Sequence, residues 1–176
     1  MHEQICRLCL SYMGEDINNL GWLKCPSCGN MIKGSNSMIV AKEILKDVKQ
    51  EDLSEDLQKN LEELLKRVNL FRQKYGKPMY VNSGLRSADH NAKIGGSKGS
   101  AHMTCEAVDF RDNDGKLFEF IKNNQSILEE CDLYLEDPRW TPTWIHLQTR
   151  KPGSGNRVFL PYRDKPALDE TRLLPS

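Results

Sequence analysis

An α+β domain preceded by a small cysteine-rich module is the architecture this sequence predicts, and three observations carry it. Four of the six cysteines fall in the first thirty residues as two C-x2-C pairs. A long helical periodicity then runs from Leu57 to Phe71, and beyond it come short strand-like runs separated by Gly-, Pro- and Asp-bearing turns. The 176 residues are 38% hydrophobic and 28% charged, which excludes collagen-like, coiled-coil and wholly disordered chains. The 25 Lys+Arg balance the 25 Asp+Glu, so no global basic field steers the chain to nucleic acid or anionic lipid. No run approaches the roughly 18 apolar residues of a membrane span. The start, Met1-His2-Glu3-Gln4, lacks the basic and then apolar blocks of a secretory leader, so a cytoplasmic protein without membrane contact is expected.

The first element is a module over residues 1–35. Cys6 and Cys9, fifteen intervening residues, then Cys25 and Cys28 have the spacing of two metal knuckles. Each C-x2-C pair aims two thiolates at one ion, and four sulfurs close a tetrahedral zinc shell that leaves no position for substrate. Cys25-Pro26-Ser27-Cys28-Gly29 has the turn residues a knuckle needs. So short a segment cannot bury a core, and zinc would supply much of its folding free energy. Balanced charge and few aromatics there argue for docking a protein partner rather than nucleic acid. Cys105 and Cys131 lack partners at ligand spacing and read as buried small hydrophobes.

Gly34-Ser35-Asn36-Ser37 breaks the pattern and opens the main domain, residues 36–150. Ile39, Val40, Ile44, Leu45 and Val48 predict a helix from Met38 to Lys49. Ser54, with Glu55 and Asp56 after it, caps a second helix whose Leu57, Leu61, Leu64, Val68 and Phe71 line one face until Gly76 stops it. Residues 79–82, 107–110, 132–136 and 144–148 read as strands, with a helix from about Lys116 to Asn124. From Lys151 to Ser176 no periodicity returns, and an extended tail is expected.

The least ordinary stretch lies between Asn82 and Asp109. Gly clusters there permit close backbone approach to a ligand, His102 sits on a Gly-rich loop and Asp109 on the strand that follows. Alternation puts Trp144, His146 and Gln148 on one face of their strand. If that strand pairs with the strand of Asp109, then Asp109 and His146 become neighbours and His102 can close the set. Two imidazoles and a carboxylate on zinc leave a fourth position for water, which is a catalytic arrangement.

Ser83-Gly84-Leu85-Arg86-Ser87, Asn91, Gly95-Gly96, Ser100-Ala101-His102 with Asp109 seven further on, and Trp144-Ile145-His146 follow one another in this order. Residues 37–150 thereby resemble the zinc D-alanyl-D-alanine carboxypeptidase family, which includes D-Ala-D-Ala dipeptidases, phage endolysins and the related hedgehog fold. The resemblance implies a small antiparallel sheet with flanking helices. It implies one catalytic zinc on His102, Asp109 and His146, in addition to the structural zinc that the cysteine spacing places on Cys6, Cys9, Cys25 and Cys28. Arg86 becomes the group that fixes a substrate carboxylate or carbonyl and stabilises the charge of a tetrahedral intermediate, while Ser100 and Trp144 contact substrate. The implied substrate is a peptidoglycan stem peptide, reached by lysis or in a virion, and phage or prophage coding fits such a chain.

Two departures stand out. Many members carry a Glu three residues before the last His, where this chain has Thr143. Glu136 resembles an acidic position that other members carry upstream and is the first choice of general base, with Asp137 second. Cys105 stands where Gly is common, close enough in sequence to the ligands to perturb the metal or to be oxidised. Thr143 also admits a non-catalytic descendant that keeps the zinc fold as a binding or virion-structural module.

Overall fold

The computed structural model describes residues 22–24, 31–33, 38–161, 170–172 and 174. The four-cysteine zinc site expected at Cys6, Cys9, Cys25 and Cys28 lies outside the described residues. Of the segment around it, β1 (Trp22–Lys24) and β2 (Met31–Lys33) pair antiparallel, with Trp22 opposite Lys33.

The first helix is shorter than its periodicity predicts. α1 spans Ala41–Leu45, Lys46 takes φ +55, and Val48 is exposed. The cause is tertiary. The Leu85 N–H donates to the Ile44 carbonyl at 2.9 Å, occupying the acceptor a continuing helix would offer to Val48, whose N–H turns to Leu45 instead. α2 (Glu55–Tyr75) matches expectation at both ends: Ser54 accepts from the Leu57 N–H, and Gly76 closes the helix at φ +69. Its face of Leu61, Leu64, Val68 and Phe71 is buried.

After α2 come β3 (Val81–Ser83), α3 (Ala88–Lys93), β4 (Ala107–Arg111), α4 (Lys116–Asn123), α5 (Ile127–Glu130), β5 (Tyr134–Glu136), β6 (Trp144–Gln148) and β7 (Val158–Phe159). The strands form one sheet in the order β3-β4-β6-β5-β7. This is the expected α+β architecture of a small sheet with flanking helices; all its pairings are antiparallel except β5 with β7, which makes the sheet mixed at that edge. Directly paired residues face the same way. Val108, Phe110, Leu135, Ile145 and Leu147 therefore occupy one face and join the α2 side chains and Leu117, Phe118 and Ile121 of α4 in a single core. The opposite face carries the residues between them, and the candidate site is built there.

The segment after Arg150, expected to be an extended tail, meets the domain at two points. At β7, Leu135 pairs with Val158 and Glu136 with Phe159. Further on, Arg172 donates to the Asp112 carboxylate at 2.8 Å and stacks 4.6 Å from the Phe118 ring. Asp112 also accepts the Leu117 and Phe118 N–H groups and so caps α4. Both charges of this pair are buried, and removing one leaves the other without its counter-ion. Arg172→Met is expected to lower stability by about 3 kcal/mol, read from urea unfolding of the full chain. A change below a few tenths would mean that the pair contributes nothing.

Candidate metal centre

Strand register places the polar groups in one row across the solvent face of the sheet. Ser83 lies opposite Asp109, and Asp109 opposite His146. Leu135 opposite Leu147 sets Glu136 beside His146 at the next step, and Glu136 pairs with Phe159. His102 comes from a 3-10 turn, Ala101–Thr104, capped by Ser100, whose Oγ accepts from the His102 N–H. The Arg86 N–H donates to the His102 carbonyl at 3.1 Å, which ties that turn to the loop after β3.

Around His146 three ligand atoms converge. His146 Nδ1 is 2.8 Å from Asp109 Oδ1, and His102 Nε2 lies 3.2 Å from each of them. The outer nitrogens determine which protons are present. His102 Nδ1 faces the Gly84 carbonyl at 2.7 Å, and a carbonyl only accepts, so Nδ1 carries the proton and Nε2 presents a bare lone pair. His146 Nε2 faces Gln148 Oε1 at 3.3 Å, while Gln148 Nε2 donates to the Arg150 carbonyl at 2.6 Å. The amide is thereby oriented, Nε2 of the imidazole carries its proton, and Nδ1 is the lone pair turned inward. Two imidazole lone pairs and a carboxylate oxygen facing one another repel unless a cation or proton lies among them. Hydrogen-bonded outer nitrogens are how metal-binding imidazoles are held. By donor chemistry, distance and tautomer the three residues fit a zinc ion.

Asp109 divides its two oxygens. Oδ1 faces the imidazoles, and Oδ2 forms an ion pair with Arg86, whose Nε also donates to Ser83 Oγ at 2.8 Å. Burial pushes the Asp109 carboxyl upward, but the imidazole hydrogen bonds and charges outweigh it and hold the group far below the usual carboxylate range. Burial lowers His102. For His146 burial also favours the neutral form, yet the Asp109 and Glu136 carboxylates overcome it and raise the value. The carboxylates thereby favour a proton on His146, and a metal ion would compete with it.

The row forms the floor of a cleft of about 360 Å³, whose lining includes Arg86, Ser100, His102, Asp109, Glu136, Trp144, His146 and Gln148. Glu136 is buried in this cleft beside His146. Asp137, the alternative carboxylate, instead grips Arg139 through both oxygens, with Nη2 to Oδ2 at 2.7 Å and Nε to Oδ1 at 3.1 Å. Thr143 is exposed on the turn before β6 and is not among the cleft residues. Cys105 is the buried small hydrophobe expected of a cysteine with no partner at ligand spacing. It is fully buried in the core, burial pushes its thiol up to about 11, and its φ of +56 explains why glycine suits that position. His90 is exposed on α3, as expected.

Other motif residues build the scaffold. A Cβ at Gly84 would meet the Ile44 Cα at 2.6 Å, so glycine is required where the loop crosses α1. Asn91 is buried; its Nδ2 donates to the Ser97 carbonyl at 2.8 Å and its own carbonyl accepts the Gly96 N–H, shaping the loop that leads to His102. Sequence reasoning placed Gln148 on the correct face but gave it no role. Phe159, whose ring centroid is 6.2 Å from that of His146, was passed over because two residues carry no periodicity.

A cleft floored by a two-histidine, one-aspartate set, on a mixed sheet backed by helices, defines a metallopeptidase-type domain. The Peptidase M15 family profile matches residues 37–140, more than half of the chain, and the chain belongs to that family of zinc-dependent peptidases. The match ends before β6, so His146 enters the site through the sheet pairing. A search of curated proteins returned no match. No helix among the described residues is long and apolar enough to cross a membrane.

Proposed function

We propose that the chain hydrolyses a peptide bond in peptidoglycan stem peptides, as a D-Ala-D-Ala carboxypeptidase or an endolysin-type endopeptidase encoded by a phage or prophage. The observation that carries the reading is the convergence of two tautomer-locked imidazole nitrogens and Asp109 Oδ1 within 3.2 Å, with Glu136 in the same cleft. Zinc held by His102, Asp109 and His146 would supply Lewis acidity toward the scissile carbonyl and toward water. Glu136 takes the proton of the attacking water and returns it to the leaving amine. Arg86, anchored on Ser83 and Asp109 at the cleft wall, offers its remaining donors to the developing oxyanion or to a substrate carboxylate. Ser100 and Trp144 line the same cleft as substrate contacts. The test is release of peptide fragments from purified peptidoglycan by the zinc-loaded chain. Intact peptidoglycan alongside a filled His102–Asp109–His146 site would sink the reading.

The division into a module at 1–35, a peptidase domain from 36 to 150 and a following segment belongs to the same proposal. Cys6, Cys9, Cys25 and Cys28 hold a second, structural zinc there and present a protein-docking surface; the antiparallel β1–β2 pair on either side of residues 25–30 supports this. Thr143 favours a second reading, a non-catalytic module that keeps the metal, and the Glu136 substitution argued in the Discussion separates the two.

Gln148 gives a prediction of its own. Gln148→Leu removes the acceptor that sets the His146 tautomer, and zinc affinity at this site is expected to fall about 10- to 100-fold by chelator competition, while Gln148→Glu, which keeps an acceptor, recovers most of it. Equal affinity in all three proteins would show that the tautomer is held by other means.

A further inference from the structure

His102 and His146 reach the site from segments 44 positions apart, and their inward nitrogens stand 3.2 Å from each other. Without a proton or ion between them two such lone pairs repel, so the surrounding chain must set their approach. Arg150 is placed to do so. It follows His146 by four residues, just beyond β6, and its side chain reaches the turn that carries His102. Nη1 donates to the Gly99 carbonyl at 2.8 Å, Nε donates to Glu106 Oε2 at 2.9 Å, and Nη2 is shared between that oxygen and Thr104 Oγ1. The Thr104 hydroxyl donates in turn to Glu106 Oε2 at 2.6 Å. Gly99 precedes His102 in the chain, and Thr104 and Glu106 follow it, so the planar fork grips the turn on both sides of the imidazole.

The backbone of the same residue serves the other imidazole. Its carbonyl accepts from Gln148 Nε2 at 2.6 Å, the bond that orients the amide against His146 Nε2. Main-chain bonds secure the turn elsewhere. The Arg86 N–H fastens it to the loop after β3, the Glu106 N–H closes it on the Ala101 carbonyl, and the Thr149 N–H extends the β4–β6 ladder to the Glu106 carbonyl. The Arg150 fork adds the tie from the chain of His146 to the turn itself. We propose that Arg150, clamped on Gly99, Thr104 and Glu106, is a positioning residue that fixes His102 against His146 and so sets the affinity and geometry of the metal centre. The inference rests on the reading of His102, Asp109 and His146 as metal ligands. Its sign is distinctive. Arg150 lines the cleft of the metal centre, and a positive charge near a bound dication weakens the ion's binding. Removing the guanidinium would strengthen uptake if charge were all it contributed, whereas a positioning role predicts the opposite.

The test is cobalt(II) titration of the full-length chain. Binding and the visible ligand-field bands are read as the difference from a His102→Ala, His146→Ala chain, which cancels any cobalt held by the cysteines. Arg150→Met keeps the stem and the main-chain carbonyl, and it is expected to bind cobalt about tenfold or more weakly, with its bands displaced at saturation. Arg150→Lys preserves the charge but offers one point donor where the fork spans three acceptors, so its affinity should stay within about threefold of Arg150→Met. Glu106→Gln loosens the same clamp from the other side, with an expected fall of about threefold or more, and carries the test should Arg150→Met not fold. Arg172→Met, whose ion pair lies at the start of α4, controls for lost stability and should match the wild type in affinity and bands. Unchanged or tighter binding in Arg150→Met, unchanged binding in Glu106→Gln, recovery in Arg150→Lys, or an equal loss in Arg172→Met overturns the clamp. A wild-type chain with no difference signal removes the metal reading and the inference together, whereas a wild-type signal indifferent to Arg150 removes the inference alone.

Discussion

Replacing His102 and His146 together with alanine is expected to remove one zinc per chain and to abolish hydrolysis while the fold survives. The metal is lost because Asp109 alone cannot replace two nitrogen ligands. In the wild type the inward lone pairs of His102 and His146 are held by the Gly84 carbonyl and Gln148, so the site is formed before the ion arrives and little ordering entropy opposes uptake. Both imidazoles are buried but lie on the sheet face away from the core of Phe71, Phe110 and Leu135, so their truncation spares the main packing. Elemental analysis of both proteins should read two zincs falling to one, the remaining ion being the one proposed for the four-cysteine module. Equal zinc in both would place the metal elsewhere. Acid weakens the site in a defined direction: His146 titrates above its ordinary value, a proton there competes with the ion, and apparent zinc affinity falls as pH drops through that range.

How far the sequence foretold this site depends on the range over which each residue acts. The order of Ser83-Gly84, Arg86, Asn91, Gly95-Gly96, His102, Asp109 and His146 was legible because each answers a local demand that few residue types meet. Gly84 passes against the Ile44 backbone, and Asn91 laces the loop through the Gly96 N–H and the Ser97 carbonyl. α2 was legible for the same reason, since its cap, its apolar face and its terminal glycine lie within one run of chain. What escaped was set by partners distant in sequence. α1 ends early because Leu85 takes the Ile44 carbonyl, a bond across forty-one positions that no periodicity announces. β7 is two residues long and is a strand only because β5 offers it an edge. Arg172 is anchored by Asp112, sixty residues before it. Arg86 was read as a substrate clamp, and the structure adds an ion pair behind Asp109 that spacing along the chain could not reveal.

Glu136→Gln is expected to lower kcat by about 10²- to 10⁴-fold with zinc content unchanged. The substitution keeps size and hydrogen-bonding capacity and removes only the ability to take a proton, so it separates a general base from a carboxylate that merely shapes the cleft. Three features single out Glu136 among the acidic residues near the site. It is paired with Phe159 in the row that holds Asp109 and His146, it is buried in the cleft, and its charge contributes to the raised His146 value. Asp109 turns its two oxygens to the imidazoles and Arg86, and Asp137 turns both of its own to Arg139, away from His146 in the row. Asp137→Asn should therefore leave kcat within about twofold, provided that the turn it caps at Arg139 survives. A full loss in Glu136→Gln, with the metal retained and Thr143→Glu giving no rescue, would place proton transfer on β5, one strand over from the β6 end where the family commonly carries it. Undiminished kcat in Glu136→Gln would remove the base from β5, and recovery of activity by Thr143→Glu in a chain otherwise inert would identify this protein as a descendant that kept the zinc and lost the reaction.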